Sequence, residues 1–220
     1  MTCWHACLRF SACLLLWLST TATVVHAQKA PAVDATQLLR AFSQMPGLEA
    51  RFVEEKHISM LALPLESAGV LYFARPGLLL RRVEKPRSSE VLITPTRLQL
   101  VDAEGKKTID LGTRPDLRPF VQSLVWILTG DEKALSRTYQ ITFVPSREGS
   151  PWTLTLVPRT EPLSHMIAHI RILGQGARVS EVEVQEKSGD RTVTRIVDAN
   201  PARTFSKTER HKLFGDGAAE

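Results

Sequence analysis

Gly69-Val-Leu-Tyr-Phe-Ala-Arg-Pro-Gly-Leu-Leu-Leu-Arg-Arg-Val-Glu-Lys-Pro86 holds two apolar runs, Val70–Phe73 and Leu78–Leu80, on either side of Arg75-Pro76-Gly77. Pro76 fixes its own φ and biases Arg75 towards an extended backbone, and Gly77 permits the turn. The first run is rich in β-formers and the second leads into alternating charge and Val83, so the stretch predicts a β-hairpin with one arginine held at its tip. That arginine reads either as a solvated rim residue or as a polar latch at the mouth of an apolar cavity.

Outward from the hairpin, the pattern is mostly that of short strands. Upstream, Asp34 is an N-cap for a helix over 35–45 that puts Leu38, Leu39, Phe42 and Met45 on one face, and Met45-Pro46-Gly47 stops it. Leu48-Glu-Ala-Arg-Phe52 alternates and begins a strand to about Ile58; Met60–Leu65 is an apolar loop or strand end broken by Pro64. Downstream, Glu90–Ile93, Arg97–Val101 and Lys107–Leu111 continue an antiparallel meander at the close spacing of a sandwich, a barrel or a curled sheet.

The period then changes. Leu117, Phe120, Val121, Leu124, Val125 and Leu128 follow helical spacing over 116–129, closed by Gly130. Trp126 and Ile127 widen the apolar stripe, as in a helix buried on two sides or one that covers an apolar opening. Lys133–Leu135 can add a helical turn. Strands return at Tyr139–Val144, Trp152–Val157, Met166–Leu173, Val179–Glu186 and Thr192–Val197. Alternation predicts Val182 and Val184 on an apolar face, with Glu181 and Glu183 on a wet one, and Glu181, Glu183 and Glu186 read as solvated residues rather than a site. A weak final strand is expected around Phe205, and residues 215–220 read as disordered.

The 220 residues, 43% hydrophobic with 28 Lys+Arg against 23 Asp+Glu, suit one globular domain over 28–214. Residues 1–27 read as a cleaved signal peptide: Arg9 forms the basic region, Ala12–Leu18 the apolar region and Val25-His26-Ala27 the cleavage site. The apolar run is short for a span, with an uncleaved anchor as the alternative. Cys3, Cys7 and Cys13 all lie in this leader, so the remainder has no disulfide, thiolate nucleophile or cysteine metal ligand. Together these features predict a periplasmic or secreted protein. The net charge of +5 bears on encounter with anionic partners rather than on the fold.

Catalytic signatures are absent from the sequence. There is no Walker or Rossmann phosphate loop, no G-x-S-x-G elbow and no H-E-x-x-H. His165 and His169 have metal-compatible spacing on a helix but fall in a strand pattern, where they share a face without an acid between them. Glu54 and Glu55 are adjacent in a strand and point to opposite faces. Arg81, Arg82, Lys85 and Arg87 lack the aromatic interleaving of a nucleic-acid site. No enzyme, metal site, cofactor or nucleic-acid partner is expected.

The order of elements resembles the periplasmic lipoprotein carriers of the LolA type over roughly Asp34 to Asn200. Gly69-Val-Leu-Tyr-Phe-Ala-Arg-Pro76 followed by Pro86 carries most of the resemblance. Leu48–Phe52, Pro119-Phe120, Leu154–Pro158 and the Ser188-Gly-Asp190 turn add to it. It implies a mainly β fold with lid helices, a strongly curved antiparallel unclosed half-barrel covering an apolar cavity. It further implies a monomer that shields the acyl chains of lipoproteins or a related lipidic cargo, received from an inner-membrane donor and passed to an outer-membrane acceptor. Phe52, Leu71, Phe73, Leu78, Leu79, Phe120 and Leu124 are then the cargo-binding residues, with Arg75 as lid latch. Arg81 departs from the apolar or aromatic residue common there and suggests a polar cargo head or an arginine that snorkels to the rim. The alternative on the same fold is a sensing or structural module that binds a protein partner.

Overall fold

The computed structural model describes residues 34–147 and 150–215. The expected leader and the last five residues of the expected disordered tail lie outside them. Eleven antiparallel strands form one sheet. In chain order they are β1 (Gly47–His57), β2 (Leu65–Ala74), β3 (Leu78–Lys85), β4 (Ser89–Ile93), β5 (Arg97–Asp102), β6 (Gly105–Asp110), β7 (Tyr139–Val144), β8 (Trp152–Pro158), β9 (Ile167–Gln175), β10 (Arg178–Glu186) and β11 (Arg191–Asn200). Their spatial order is β6-β5-β4-β3-β2-β1-β11-β10-β9-β8-β7. Two meanders are thus joined where β1 pairs with β11, and β6 and β7 stay unpaired to each other as the two edges. The sheet is an unclosed half-barrel.

This topology positions the helices. The chain leaves the sheet at one edge, β6, and re-enters at the other, β7, so the segment between must cross the sheet. It does so as α2 (Arg118–Thr129) and α3 (Glu132–Thr138). The first helix, α1 (Ala35–Gln44), packs beside α2; its N-cap Asp34 accepts a hydrogen bond from the Gln37 amide at 2.7 Å, as the sequence predicts.

Register decides which side chains face the helices. Leu48, Leu71 and Phe73 share a face with Leu79, Val91, Ile93 and Leu98 across the paired strands. These residues, with Leu111, meet Met45 and Val121 in one apolar cluster. On the other half of the same face, Trp152, Leu154, Leu156, Ile170 and Ile172 meet Leu38, Leu39 and Phe42 of α1, Ile127 of α2 and Leu135 of α3. Phe120 touches both clusters.

Two glycines allow this close packing. Gly130 takes φ +68° at the α2 C-terminus, and a Cβ there would lie 2.0 Å from the Leu39 carbonyl oxygen of α1. Gly77, at the hairpin tip, brings Val125 of α2 so near that a Cβ would sit 3.2 Å from its methyl group.

Several sequence expectations need correction. The turn at Lys133–Leu135 is a full helix, α3. The strand expected to begin at Met166 is preceded by a short helix, α4 (Leu163–Met166), and begins at Ile167. His165 and His169 therefore do not share a strand face: His165 pairs with Glu161 at 2.8 Å and His169 with Glu183 at 3.5 Å. No strand forms at Phe205, and α5 (Lys207–Phe214) follows it, capped by Gly215. Val182 and Val184 do turn to the apolar cluster, but Glu183 is not on a wet face. It is 6% exposed, held by Arg171 of β9 and Arg191 of β11, because its two neighbouring strands supply the cations that offset its burial.

Replacing Gly130 with alanine is expected to destabilise the protein by about 2 kcal/mol or more, since the new methyl meets α1 backbone and the left-handed conformation is lost to a non-glycine residue. Urea unfolding of Gly130→Ala against wild type measures this.

Candidate functional site: the helix-covered face and its arginine latch

Arg75 lies in the tight turn between β2 and β3, where Pro76 and Gly77 direct the chain back. Its guanidinium reaches the C-terminus of α1. Nε donates to the Met45 carbonyl at 2.7 Å, and Nη2 donates to the carbonyls of Phe42 at 2.9 Å and Ser43 at 2.5 Å. The last carbonyls of a helix have no intrahelical partner and carry the negative end of its dipole, so a guanidinium is well matched to them. The side chain thus ties the hairpin to the helix that covers the apolar face. Each such charge-assisted bond is worth about 1.5–3 kcal/mol at most.

A second fastening holds α2. Ser123 is buried and its hydroxyl donates to the Pro119 carbonyl at 2.5 Å. The Tyr139 hydroxyl then donates to Ser123 Oγ, also at 2.5 Å, joining α2 to the edge strand β7. Burial raises the Tyr139 pKa, partly opposed by the Ser123 bond, so the phenol stays protonated as this donor role requires.

The residues expected to meet cargo divide between the two faces. Leu71, Phe73, Leu79, Phe120 and Leu124 come together in the cluster beneath α2. Phe52 is buried further along β1 on the same face, with the Arg81 guanidinium 4.7 Å above its ring. Leu78 is elsewhere. It points to the outer face and packs with Ala74, Leu80 and Phe214 of α5, because neighbouring strand residues alternate sides.

Arg81 does lie on the helix-covered face, opposite Leu71, but its charge is met locally. Nη2 donates to Glu54 Oε1 at 2.7 Å, and the other carboxylate oxygen accepts from Thr194 at 2.8 Å. Glu54 and Glu55 point to opposite faces, as the sequence predicts, and Glu55 pairs with Arg195. The apolar face itself is filled by side chains of α1, α2 and α3. Two cavities, of about 310 and 380 Å³, lie away from it. One is lined by Glu49, Arg51, Asp198, Asn200 and Arg203, and the other lies between α5 and the outer face of β3–β6.

Sequence reasoning missed α5, which buttresses the latch from outside. Arg210 Nη2 donates to the Arg75 carbonyl at 3.0 Å, and Phe214 is fully buried. The signal was present: Ser206-Lys-Thr-Glu209 forms a capping box, with Ser206 Oγ accepting from the Glu209 amide and Glu209 accepting from the Ser206 amide. Arg203 bridges Glu209 at 2.7 Å and Glu49 of β1 at 3.0 Å, anchoring the helix start.

The Ser206 amide and Arg203 lower the Glu209 pKa to about 2 from its ordinary 4.5. A carboxylate lowered in the folded state stabilises it above its unfolded value and loses that contribution as pH falls through the folded one. The α5 docking is therefore expected to loosen as pH falls from about 4.5 towards 2. Hydrogen exchange of the α5 amides checks this, and Glu209→Gln should loosen α5 already at neutral pH.

A family model described as outer membrane lipoprotein carrier protein LolA-like matches residues 27–213. No curated protein matches the chain. Among solved structures, a LolA superfamily protein from Nitrosomonas europaea is 12% identical, with 80% of this chain and 97% of that chain covered and a TM-score of 0.44. A DUF1329 family protein from Desulfovibrio piger is 12% identical, covering 81% and 97%, with a TM-score of 0.46. The MucA/MucB complex of Pseudomonas aeruginosa is 14% identical, covering 76% and 57%, with a TM-score of 0.43. On the extent of the family match, this chain belongs to the LolA-like outer membrane lipoprotein carrier family.

Proposed function

We infer that the protein is a non-enzymatic periplasmic carrier, which shields the acyl chains of a lipoprotein or related lipidic cargo on the face now covered by α1 and α2. The observation that carries this reading is the Arg75 guanidinium, which fastens the covering helix to the hairpin by bonds to three carbonyls. In this reading cargo displaces the helices: Leu71, Phe73, Leu79, Phe120, Leu124 and, deeper, Phe52 line the path, and Leu78 does not.

The magnitudes are compatible with exchange. Lifting Leu38, Leu39 and Phe42 off the sheet forfeits roughly 5–9 kcal/mol of burial. An acyl chain of about a dozen methylenes, at about 0.8 kcal/mol each, returns on the order of 10 kcal/mol. The closed and loaded states then differ little, so a cargo can be both taken up and released. Export through the leader, receipt from an inner-membrane donor and delivery to an outer-membrane acceptor complete the proposal.

A second reading, a module of this fold that binds a protein partner without carrying lipid, draws support from the interior being filled by the protein's own side chains.

One experiment separates the two. Protein recovered from periplasmic extracts is examined by native mass spectrometry for bound lipid or lipoprotein, and its release to acceptor membranes is timed. The carrier reading expects cargo on the wild type, and at least about tenfold slower release from Arg75→Leu, because the closed state that competes with cargo has lost its latch. A wild type without exchangeable lipid, or unchanged loading and release in the variant, overturns it.

A further inference from the structure

The loop between β1 and β2 is the most exposed apolar feature of the described residues. Ile58-Ser-Met-Leu-Ala-Leu-Pro-Leu65 contains no charge, and Met60 is 90% exposed, Leu63 78%, Leu65 52% and Leu61 49%. Such side chains ordinarily fold back onto a core; clustered exposure marks an interaction site. Here the loop is held outward. The Ser59 amide and hydroxyl both donate to Asp190 Oδ1, at 3.0 and 3.1 Å, tying it to the β10–β11 turn, and the Leu61 amide donates to the Ile58 carbonyl at 2.8 Å. Met166, 51% exposed, ends α4 at the same end of the sheet, where its carbonyl accepts from the Lys187 amide.

Charge around the loop favours one class of partner. Lys187 follows β10, Lys85 ends β3 opposite Ala68, and Arg87 lies in the β3–β4 turn, all at the loop's end of the sheet. None of the three has a carboxylate partner among the described residues. The acids at this end are largely engaged: Glu186 with Lys56 and Glu84 with Arg51, both at 3.8 Å, and Asp190 with Ser59. Glu66 opposes them, as do Asp102 and Glu104 farther off at the β5–β6 turn, three strands along the sheet. An uncharged apolar tip ringed by unpaired cations complements a surface that is anionic at its face and apolar beneath it.

We propose that the 58–65 loop is a membrane-docking element that inserts Met60, Leu61 and Leu63 into an anionic lipid bilayer, with Lys85, Arg87 and Lys187 against the headgroups. It lies at the end of the sheet opposite the Arg75 hairpin, since β2 runs from one to the other. The protein can therefore contact a bilayer without disturbing the latch. The inference stands on the loop and its charges, independently of what the covered face holds.

The test is flotation with vesicles of phosphatidylethanolamine and phosphatidylglycerol, compared with vesicles of phosphatidylcholine alone. Wild type should float with the anionic vesicles, less so at high salt and with the neutral ones. The double variant Met60→Ser, Leu63→Ser should lose at least about tenfold in bound fraction. Both proteins carry the same residues 1–33, so a difference between them belongs to the loop. The substituted side chains are exposed, and an unchanged melting curve verifies folding. Equal flotation of variant and wild type, or no flotation of either, overturns the proposal. A photo-cross-linking residue at position 63 should yield lipid adducts, whereas adducts to a protein alone would also overturn it. The assay needs no cargo, so its failure leaves lipid carriage standing, and an empty interior in the Arg75 experiment leaves the docking loop standing.

Discussion

An open sheet with one apolar face has to be covered, and the rest of the structure depends on how this is done. Eleven strands that do not close into a barrel leave Trp152, Leu154 and Ile170 on one half of the sheet, and Phe73, Leu79 and Ile93 on the other, in need of partners. A closed barrel would provide them from its own far wall. Here they come from helices, and a helix can be moved where a hydrogen-bonded strand cannot. The position of the covering helices follows from connectivity, since the chain must travel from edge β6 to edge β7.

The cover is fastened by few polar bonds. Arg75 donates to the Met45 and Ser43 carbonyls at the α1 C-terminus and shares the Phe42 carbonyl with the Met45 amide, and Tyr139 reaches Ser123 in α2. Both join a helix to a strand or hairpin rather than helix to helix. Most of the holding energy is apolar burial, which has no directional preference and can be exchanged for another apolar surface. The latch adds geometry, fixing which helix end meets which turn. From the outer face, α5 seals Leu78 and Leu80 with Phe214 and touches Arg75 through Arg210, so the hairpin is supported on both sides.

Arg81 shows why a residue type does not by itself define a site. An arginine on an apolar face reads from sequence as a polar spot awaiting a ligand. Glu54 meets it from two strands away, Thr194 steadies the carboxylate and Phe52 lies under the guanidinium. The buried Glu183 makes the same point from the other sign, being surrounded by Arg171, Arg191 and His169.

Much of the fold was legible in the sequence. Period-two runs broken by turn residues marked the strands, Asp34 and Gly130 bounded the long helices, and Arg75-Pro76-Gly77 announced the hairpin. These are local signals, written within a few residues of where they act. The sequence did not reveal α5, whose polar face hides its helical period although its capping box was present. It also could not place Leu78, since Leu78 and Leu79 differ only in register, and a one-residue step in a strand exchanges the covered face for the outer one. The carbonyls that receive Arg75 were equally out of reach, because they belong to a helix some thirty residues earlier and become acceptors only when the sheet's curvature brings α1 against the hairpin. Composition and periodicity determined which segments are strands and which helices. Tertiary structure alone decided which face each residue occupies and which charge it meets, because both depend on strand pairing between residues far apart in the chain.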